Sequence, residues 1–185
     1  MKPLIKPIET QYQGYKFRSR LEARWAVFFH NYGIDFEYEL EGFKMPSGQQ
    51  YLPDFFLPKQ NVFVEVKPTK ELNDIDIKKM LEFSVTCDRI LLLVIGTPTK
   101  EEMFIVSRRT APEFSELEEY LCEGQTISDA FIESLSDAPV CFSPLPTHAV
   151  SDAFIVYKEL PPYDDNKRAQ ALLAAKQARF EFNKD

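Results

Sequence analysis

The residues best suited to chemistry are two carboxylates and one ammonium group in the apolar stretch 51–67, YLPDFFLPKQNVFVEVK. They belong to Asp54, Glu65 and Lys67. Charged groups are costly to bury among apolar side chains unless they form ion pairs or bind a cation. Carboxylate oxygens are also the ligands that hard divalent cations prefer. The stretch therefore predicts either an ordinary ion pair or a cation site.

The alternation of side chains around these groups predicts two strands joined by a turn at residues 58–61. Successive side chains point to opposite faces of a strand, so Glu65 and Lys67 share one face and the neighbouring valines share the other. Asp54 lies on the first of the two strands. If it points to the same side as Glu65, oxygens of both carboxylates come within reach of one ion.

A helix is predicted just before these strands, from Ser19 to about Tyr32, where Gly33 ends it. Ser19 with Glu22 three residues later is the pattern of a capping box. The helix carries one apolar stripe, formed by Leu21, Trp25, Phe28, Phe29 and Tyr32. Glu22 lies at the edge of this stripe, and two interpretations of it stay open. It either caps its own helix or joins the carboxylates of the strands, and these roles need different orientations of its side chain.

The remaining elements are predicted from periodicity and from breaks at Gly and Pro. Residues 34–41 alternate strictly and predict a strand with an acidic outer face, which includes Glu39. The continuous apolar run Ile90–Ile95 predicts a central strand that is covered on both faces. Further predictions are helices at 72–85, 115–122, 126–135 and 164–182, short strands at 103–106 and 153–157, and a Pro-rich loop at 138–147.

The order of helix, three-strand meander, helix and strand, with Pro53-Asp54 and Glu65-Val66-Lys67 on the strands, resembles the PD-(D/E)XK nuclease superfamily. The resemblance covers about the first 110 residues. Within the superfamily, the sequence is most similar to small phage or mobile-element nucleases. It implies an α/β fold with a restriction-endonuclease-like three-layer core. The implied activity is hydrolysis of phosphodiester bonds in DNA by a Mg²⁺-dependent endonuclease, with Mn²⁺ as a substitute.

The resemblance also implies roles for individual residues. Asp54 and Glu65 would hold Mg²⁺, with the backbone carbonyl of Val66 as a further ligand. Lys67 would orient or deprotonate the attacking water, or offset charge in the transition state. Glu22 would complete the site or hold a second ion.

The acid-x-lysine triplet recurs in Asp76-Ile77-Lys78 and in Asp165-Asn166-Lys167. Both of these copies lie on polar faces of predicted helices, where a solvated ion pair is the expected role. Only Glu65-Val66-Lys67 lies in a strand-like run downstream of a Pro-Asp pair. An ordinary pair on an edge strand remains the alternative for Glu65 and Lys67.

The densest basic cluster, interleaved with aromatic residues, consists of Lys16, Arg18, Arg20 and Arg24. These side chains are predicted to contact phosphates of a nucleic acid. The alternative is a solvated helix start, in which arginine stems cover aromatic rings.

Composition indicates a folded chain without membrane segments. The 185 residues are 44% hydrophobic and 14% aromatic, which suffices for a packed core. No apolar run approaches a membrane span, no signal peptide is visible, and the three cysteines lack a CxxC spacing. We therefore expect free thiols, no zinc site, and a place in the cytoplasm, or in the host cytoplasm if the chain is phage-encoded.

Charge divides the chain into a near-neutral front and an acidic back. The net charge is −7, and no Lys or Arg occurs from Thr110 to Tyr157. We expect one compact domain with a nuclease-like core at 1–110, an acidic extension at 111–163 and a terminal helix at 164–185. The acidic part keeps one alternative open, a nuclease-like adaptor that binds a basic protein. The sequence has no helix-turn-helix or zinc-finger pattern, which keeps a second alternative open, a nuclease subunit active only with a DNA-reading partner. A homodimer is a further possibility.

Overall fold

The computed structural model describes residues 7–98, 102–109, 111–119, 121–135 and 164–180. The strands in these ranges are β1 Thr10–Tyr12, β2 Tyr15–Phe17, β3 Glu37–Tyr38, β4 Phe43–Lys44, β5 Gln50–Tyr51, β6 Phe55–Leu57, β7 Val62–Lys67, β8 Ile90–Ile95 and β9 Glu102–Val106. The helices are α1 Arg20–Tyr32, α2 Asp74–Thr86, α3 Phe114–Glu119, α4 Ile127–Leu135 and α5 Asp165–Gln177. The predicted loop at 138–147 and strand at 153–157 lie outside the described residues.

A five-stranded mixed sheet with the order β3-β6-β7-β8-β9 organises the fold. Strands β3, β6 and β7 are antiparallel neighbours, so they form the predicted meander. Strand β8 runs parallel to β7, with Val62 opposite Ile90, and α2 makes the crossover between them. Strand β9 then pairs antiparallel with β8. The predicted order of helix, meander, helix and strand is therefore present.

Helices cover both faces of this sheet, which confirms the α/β class. One core cluster joins buried residues of α1 and α5 to the valines of β7. A second cluster joins residues of α2, α3 and α4 to Phe63 on the other face of β7. Since β7 and β8 are covered on both sides, their residues are almost all buried, as the apolar run of β8 predicts.

Helix α1 begins and ends where its caps predict. Ser19 is the N-cap and its hydroxyl accepts the backbone N–H of Glu22. Gly33 ends the helix with φ of +85°, a left-handed conformation that costs glycine little. The indole N–H of Trp25 donates to the carbonyl of Gly96, 3.0 Å away, and so joins α1 to the end of β8.

Several predicted elements are shorter than the sequence pattern indicates. The strand predicted at 34–41 is reduced to Glu37–Tyr38. It ends there because Glu39 has φ of +46° and leaves the extended conformation. The helix predicted at 115–122 ends at Glu119. Helix α5 ends at Gln177 rather than at residue 182. Its alanines Ala171 and Ala175 are buried in the cluster that contains α1, which small side chains permit at close approach.

Candidate active site

The predicted carboxylates belong to Asp54, just before β6, and to Glu65 on the neighbouring strand β7. Asp54 immediately precedes β6, and the pairing of Phe55 with Val64 brings Asp54 opposite Glu65. Both residues are buried, with 4% and 7% of their surface exposed. One carboxylate oxygen of Asp54, Oδ2, accepts the backbone N–H of Val66 at 2.7 Å. The structure therefore brings Asp54 into contact with the Glu65-Val66-Lys67 segment.

Glu65 and Lys67 form an ion pair on one face of β7. The ammonium Nζ of Lys67 lies 3.0 Å from Oε1 of Glu65. The other oxygen, Oε2, accepts a hydrogen bond from the hydroxyl of Tyr51 at 2.9 Å. Glu65 and Lys67 therefore share one face of the strand, as predicted. Tyr51, at the end of β5, contacts the same carboxylate.

Asp76 belongs to this site, although its sequence context predicts a solvated ion pair on a helix. Its Oδ2 lies 2.8 Å from Nζ of Lys67 and also accepts from the side-chain amide of Asn73. An ion pair therefore forms, but its partner is the lysine of the strand triplet. The sequence feature that could have indicated this contact is the short connection between β7 and α2, from Lys67 to Asp74. It keeps the first turn of α2 close to the end of β7.

Arg18 contacts Asp54 rather than projecting freely toward solvent. A terminal guanidinium nitrogen lies 2.8 Å from Oδ1 of Asp54, and Nε lies 2.6 Å from Oε1 of Glu39. The backbone N–H of Glu39 donates to the carbonyl of Asp54 at 2.9 Å. The prediction that Glu39 belongs to an exposed strand face is therefore wrong, because its left-handed backbone ends the alternation and its carboxylate meets Arg18.

The carboxylate of Glu22 turns toward the start of its own helix and toward Tyr38 of β3. It accepts from the hydroxyl of Ser19 at 2.6 Å, from the backbone N–H of Arg18 at 3.1 Å and from the hydroxyl of Tyr38 at 2.6 Å. The residue is only 8% exposed. Its negative charge nevertheless acts on Asp54, as the pKa of that residue indicates.

Burial and crowding of like charges raise the pKa of Asp54 well above its usual value. Burial is the largest cause, and the charges of Glu65 and Glu22 add to it. The N–H of Val66 and the charge of Arg18 oppose the rise without cancelling it. One arginine therefore does not balance the negative charge that surrounds Asp54.

Burial also raises the pKa of Glu65, against the opposing effects of Lys67 and Tyr51. For Lys67, burial alone would lower the pKa, but the charges and hydrogen bonds of Glu65 and Asp76 outweigh it and the pKa is raised. Lys67 therefore stays protonated at neutral pH. It serves this site as a cation.

The donor set fits a hard divalent cation in its chemistry. Arg18 and Lys67 form ion pairs with four carboxylates, those of Glu39, Asp54, Glu65 and Asp76, and Glu22 accepts the backbone N–H of Arg18. Among the residues that the structure describes, no group of three or more His, Cys, Asp or Glu side chains is arranged to hold a metal alone. Mg²⁺ is commonly bound by one or two carboxylates together with waters and substrate phosphates. Asp54 and Glu65 suit that mode of binding.

The basic residues predicted for nucleic-acid contact have separate positions. Lys16 is exposed and pairs with Glu9 at 2.6 Å, whereas Arg18 lies in the carboxylate site. Arg24 lines a small cleft with Thr97, Pro98 and residues of α5, and Arg20 is partly buried. Of these four residues, Arg18 is the one with a described contact to a predicted catalytic carboxylate.

Comparisons of the chain with models of protein families, with curated proteins and with solved structures found no match. No helix in the described ranges is both long enough and apolar enough to span a bilayer.

Proposed function

We propose that this protein is a metal-dependent nuclease that hydrolyses phosphodiester bonds in DNA, with Mg²⁺ or Mn²⁺ as its cofactor. The observation that carries the proposal is the arrangement of Asp54, Glu65 and Lys67. Buried Asp54, just before β6, contacts the β7 segment that carries buried Glu65, and the protonated Lys67 lies 3.0 Å from Glu65. An ordinary surface ion pair does not require a second buried acid at this place.

The order of elements supports a restriction-endonuclease-like core as the finer description of the fold. Helix α1 precedes the β3-β6-β7 meander, and α2 then leads into β8. This is the order that the resemblance to PD-(D/E)XK nucleases implies, with Asp54 and Glu65 at the expected places. The described helices α3 and α4 pack on the sheet face that α2 covers.

Asp54, Glu65 and the carbonyl of Val66 would hold the cation, which activates water and offsets charge on the scissile phosphate when bound. Lys67 is better suited to stabilising negative charge and orienting water than to abstracting a proton, because its pKa is raised. Tyr51 holds Glu65 from the opposite side to Lys67. Glu22 would have an indirect role. It holds the start of α1 through Ser19 and Arg18, and its negative charge helps to raise the pKa of Asp54.

The test is cleavage of single- and double-stranded DNA and of RNA by the purified full chain with Mg²⁺, Mn²⁺ or Ca²⁺. We expect cleavage of DNA with Mg²⁺ and Mn²⁺ and none with Ca²⁺. Asp54→Ala should lose at least about 100-fold in rate, since even groups that only support metal ligands contribute 10–100-fold. The matched control is Asp35→Ala, which removes an exposed acid paired with Lys59.

Cleavage that persists in Asp54→Ala, with Asp35→Ala as active as wild type, would refute the assignment of this site. No cleavage of any substrate would instead favour an adaptor or a subunit that needs a partner. Repeating the assay with and without cell lysate, followed by co-purification, separates those two cases.

A further inference from the structure

The guanidinium of Arg18 holds an oxygen of Asp54 that a cation at this site would need. Asp54 has two carboxylate oxygens, and the N–H of Val66 already bonds to Oδ2. Arg18 lies 2.8 Å from the other, Oδ1. Two cations on one oxygen repel each other at short range, so a metal ion bound by Asp54 competes directly with Arg18.

The backbone of Arg18 is held by two hydrogen bonds, and its side chain is held by ion pairs with Asp54 and Glu39. The backbone N–H donates to Oε2 of Glu22 at 3.1 Å and to the hydroxyl of Tyr38 at 3.0 Å. The side chain, by contrast, is 55% exposed and extends over Asp54 and Glu39. The guanidinium can therefore turn away from Asp54 by rotation of its side chain, without any movement of α1.

The charges around Asp54 favour such an exchange. Glu65 and Glu22 both act on the buried Asp54, while Lys67 pairs with Glu65 and Asp76 instead. Arg18 supplies one positive charge, which is less than this group of acids can accommodate. A divalent cation brings a larger charge to the same oxygens, and the planar guanidinium is then free beside the site to bind a phosphate.

We infer that Arg18 is a phosphate-binding residue that is released by the metal: it pairs with Asp54 until a divalent cation binds there and then contacts a phosphate of the nucleic acid. This inference rests on the proposed function. It goes beyond it by coupling the binding of metal to the binding of substrate through one side chain. Arg18 thus has two partners, one after the other: first the carboxylate of Asp54 and then a phosphate group.

The release of Arg18 is observed through the Nη–Hη signals of its guanidinium in NMR spectra, assigned by their loss in Arg18→Lys. We expect these signals to be protected from solvent exchange in EDTA, because a terminal nitrogen donates to Oδ1 of Asp54. Titration with Mg²⁺ should remove the protection. Binding of Mg²⁺ measured by calorimetry with an unchanged Arg18 signal would overturn the inference and leave the proposed function intact. Absence of any Mg²⁺ binding would overturn both.

Affinities supply the second measurement. Arg18→Gln should tighten the binding of Mn²⁺ by about tenfold, within the usual range of coupling between two sites. The same variant should bind a DNA oligonucleotide about tenfold more weakly in Ca²⁺, the factor typical of one lost charge-assisted hydrogen bond. In EDTA its affinity for the oligonucleotide should match that of wild type.

The control Lys59→Gln removes a cation from an exposed pair with Asp35 and should change both affinities by less than about twofold. Equal weakening of DNA binding by Arg18→Gln in Ca²⁺ and in EDTA would show a phosphate contact without exchange. That result would overturn the inference. So would an unchanged Mn²⁺ affinity in Arg18→Gln, since the competition would then be absent.

Discussion

The triplets Glu65-Val66-Lys67 and Asp76-Ile77-Lys78 share one pattern of acid, aliphatic residue and lysine, but the first lies on β7 and the second on α2. Along a strand, residues two apart share a face, and Lys67 reaches Glu65 at 3.0 Å. Along a helix, two residues turn the chain by about 200°, so the acid and the lysine point apart. Asp76 faces Lys67, whereas Nζ of Lys78 lies 4.1 Å from the centre of the Phe114 ring.

This difference assigns separate roles to the members of the two triplets. The strand triplet contributes both of its charges to the site, while the helix triplet contributes only Asp76. Lys67 consequently has two acidic partners and Lys78 has an aromatic one. Whether a triplet lies on a strand or on a helix, rather than its residue types, decides which lysine contacts the carboxylates of the candidate site.

The largest effect should separate the two lysines. Lys67→Met should lower the rate of DNA cleavage by at least about 100-fold, since a positioned group that acts on the reacting atoms is typically worth this much. Lys78→Met should stay within about twofold of wild type, because this side chain is exposed and lies over the Phe114 ring. Single-turnover rates with Mg²⁺ measure both, with circular dichroism to verify folding. Equal losses in the two variants would remove the distinction between the triplets.

A smaller effect is expected when Lys67 loses only its helix partner. Asp76→Asn should reduce kcat by about tenfold with little change in KM, as is typical for a group that orients another. Asp76 also helps to raise the pKa of Lys67, so its removal lowers that pKa. In the proposed function protonated Lys67 is the active form, so the alkaline fall of kcat should shift to lower pH.

The control for this prediction is Asp74→Asn, which alters an exposed acid in the same first turn of α2. Its pH profile should match that of wild type. A tenfold loss in Asp76→Asn with an unshifted alkaline limb would indicate that Asp76 supports the fold rather than the charge of Lys67.

Local patterns were sufficient to predict the elements that carry the main site. The Ser19 cap and Gly33 delimit α1, and alternation along β7 puts Glu65 and Lys67 on one face. Glu39 and Asp76 could not be predicted as members of the site from periodicity. Their places depend on a left-handed residue at the end of β3 and on the path of the chain from β7 into α2, which are properties of the tertiary fold.

The ion pair of Arg18 with Asp54 could not be predicted from local sequence either. The position of Arg18 in a basic cluster predicts a phosphate contact, but the sequence contains no sign that Asp54, 36 residues later, is its partner. Glu22 likewise contacts Ser19 within its own helix start, while the donor from Tyr38 comes from β3. Pairings between distant segments were the part of the site that local sequence could not supply.

The smallest predicted effect concerns stability and compares the two acids that hold Lys67. Burial raises the pKa of Glu65, although Lys67 and Tyr51 oppose it and Asp76 adds to it. A carboxyl group whose folded pKa is raised stabilises the protein below its ordinary pKa, and this stability is lost as the pH rises through the folded value. Glu65→Gln lacks that loss, and its amide can still accept from Lys67 and donate to Tyr51.

In EDTA at pH 8, we therefore expect Glu65→Gln to raise Tm by about 3 °C, the shift that roughly 1 kcal/mol produces in a chain of this size. The gain should vanish at acidic pH, where Glu65 of the wild type is itself protonated. Asp76→Asn should show no such gain, because the Asp76 side chain is 31% exposed against 10% for Glu65. Thermal unfolding across the pH range measures all three proteins. A lower Tm for Glu65→Gln at pH 8 would mean that the pairing of ionised Glu65 with Lys67 stabilises the fold by more than its burial costs. Glu65 on the strand and Asp76 on the helix would then both stabilise the fold as charged partners of Lys67.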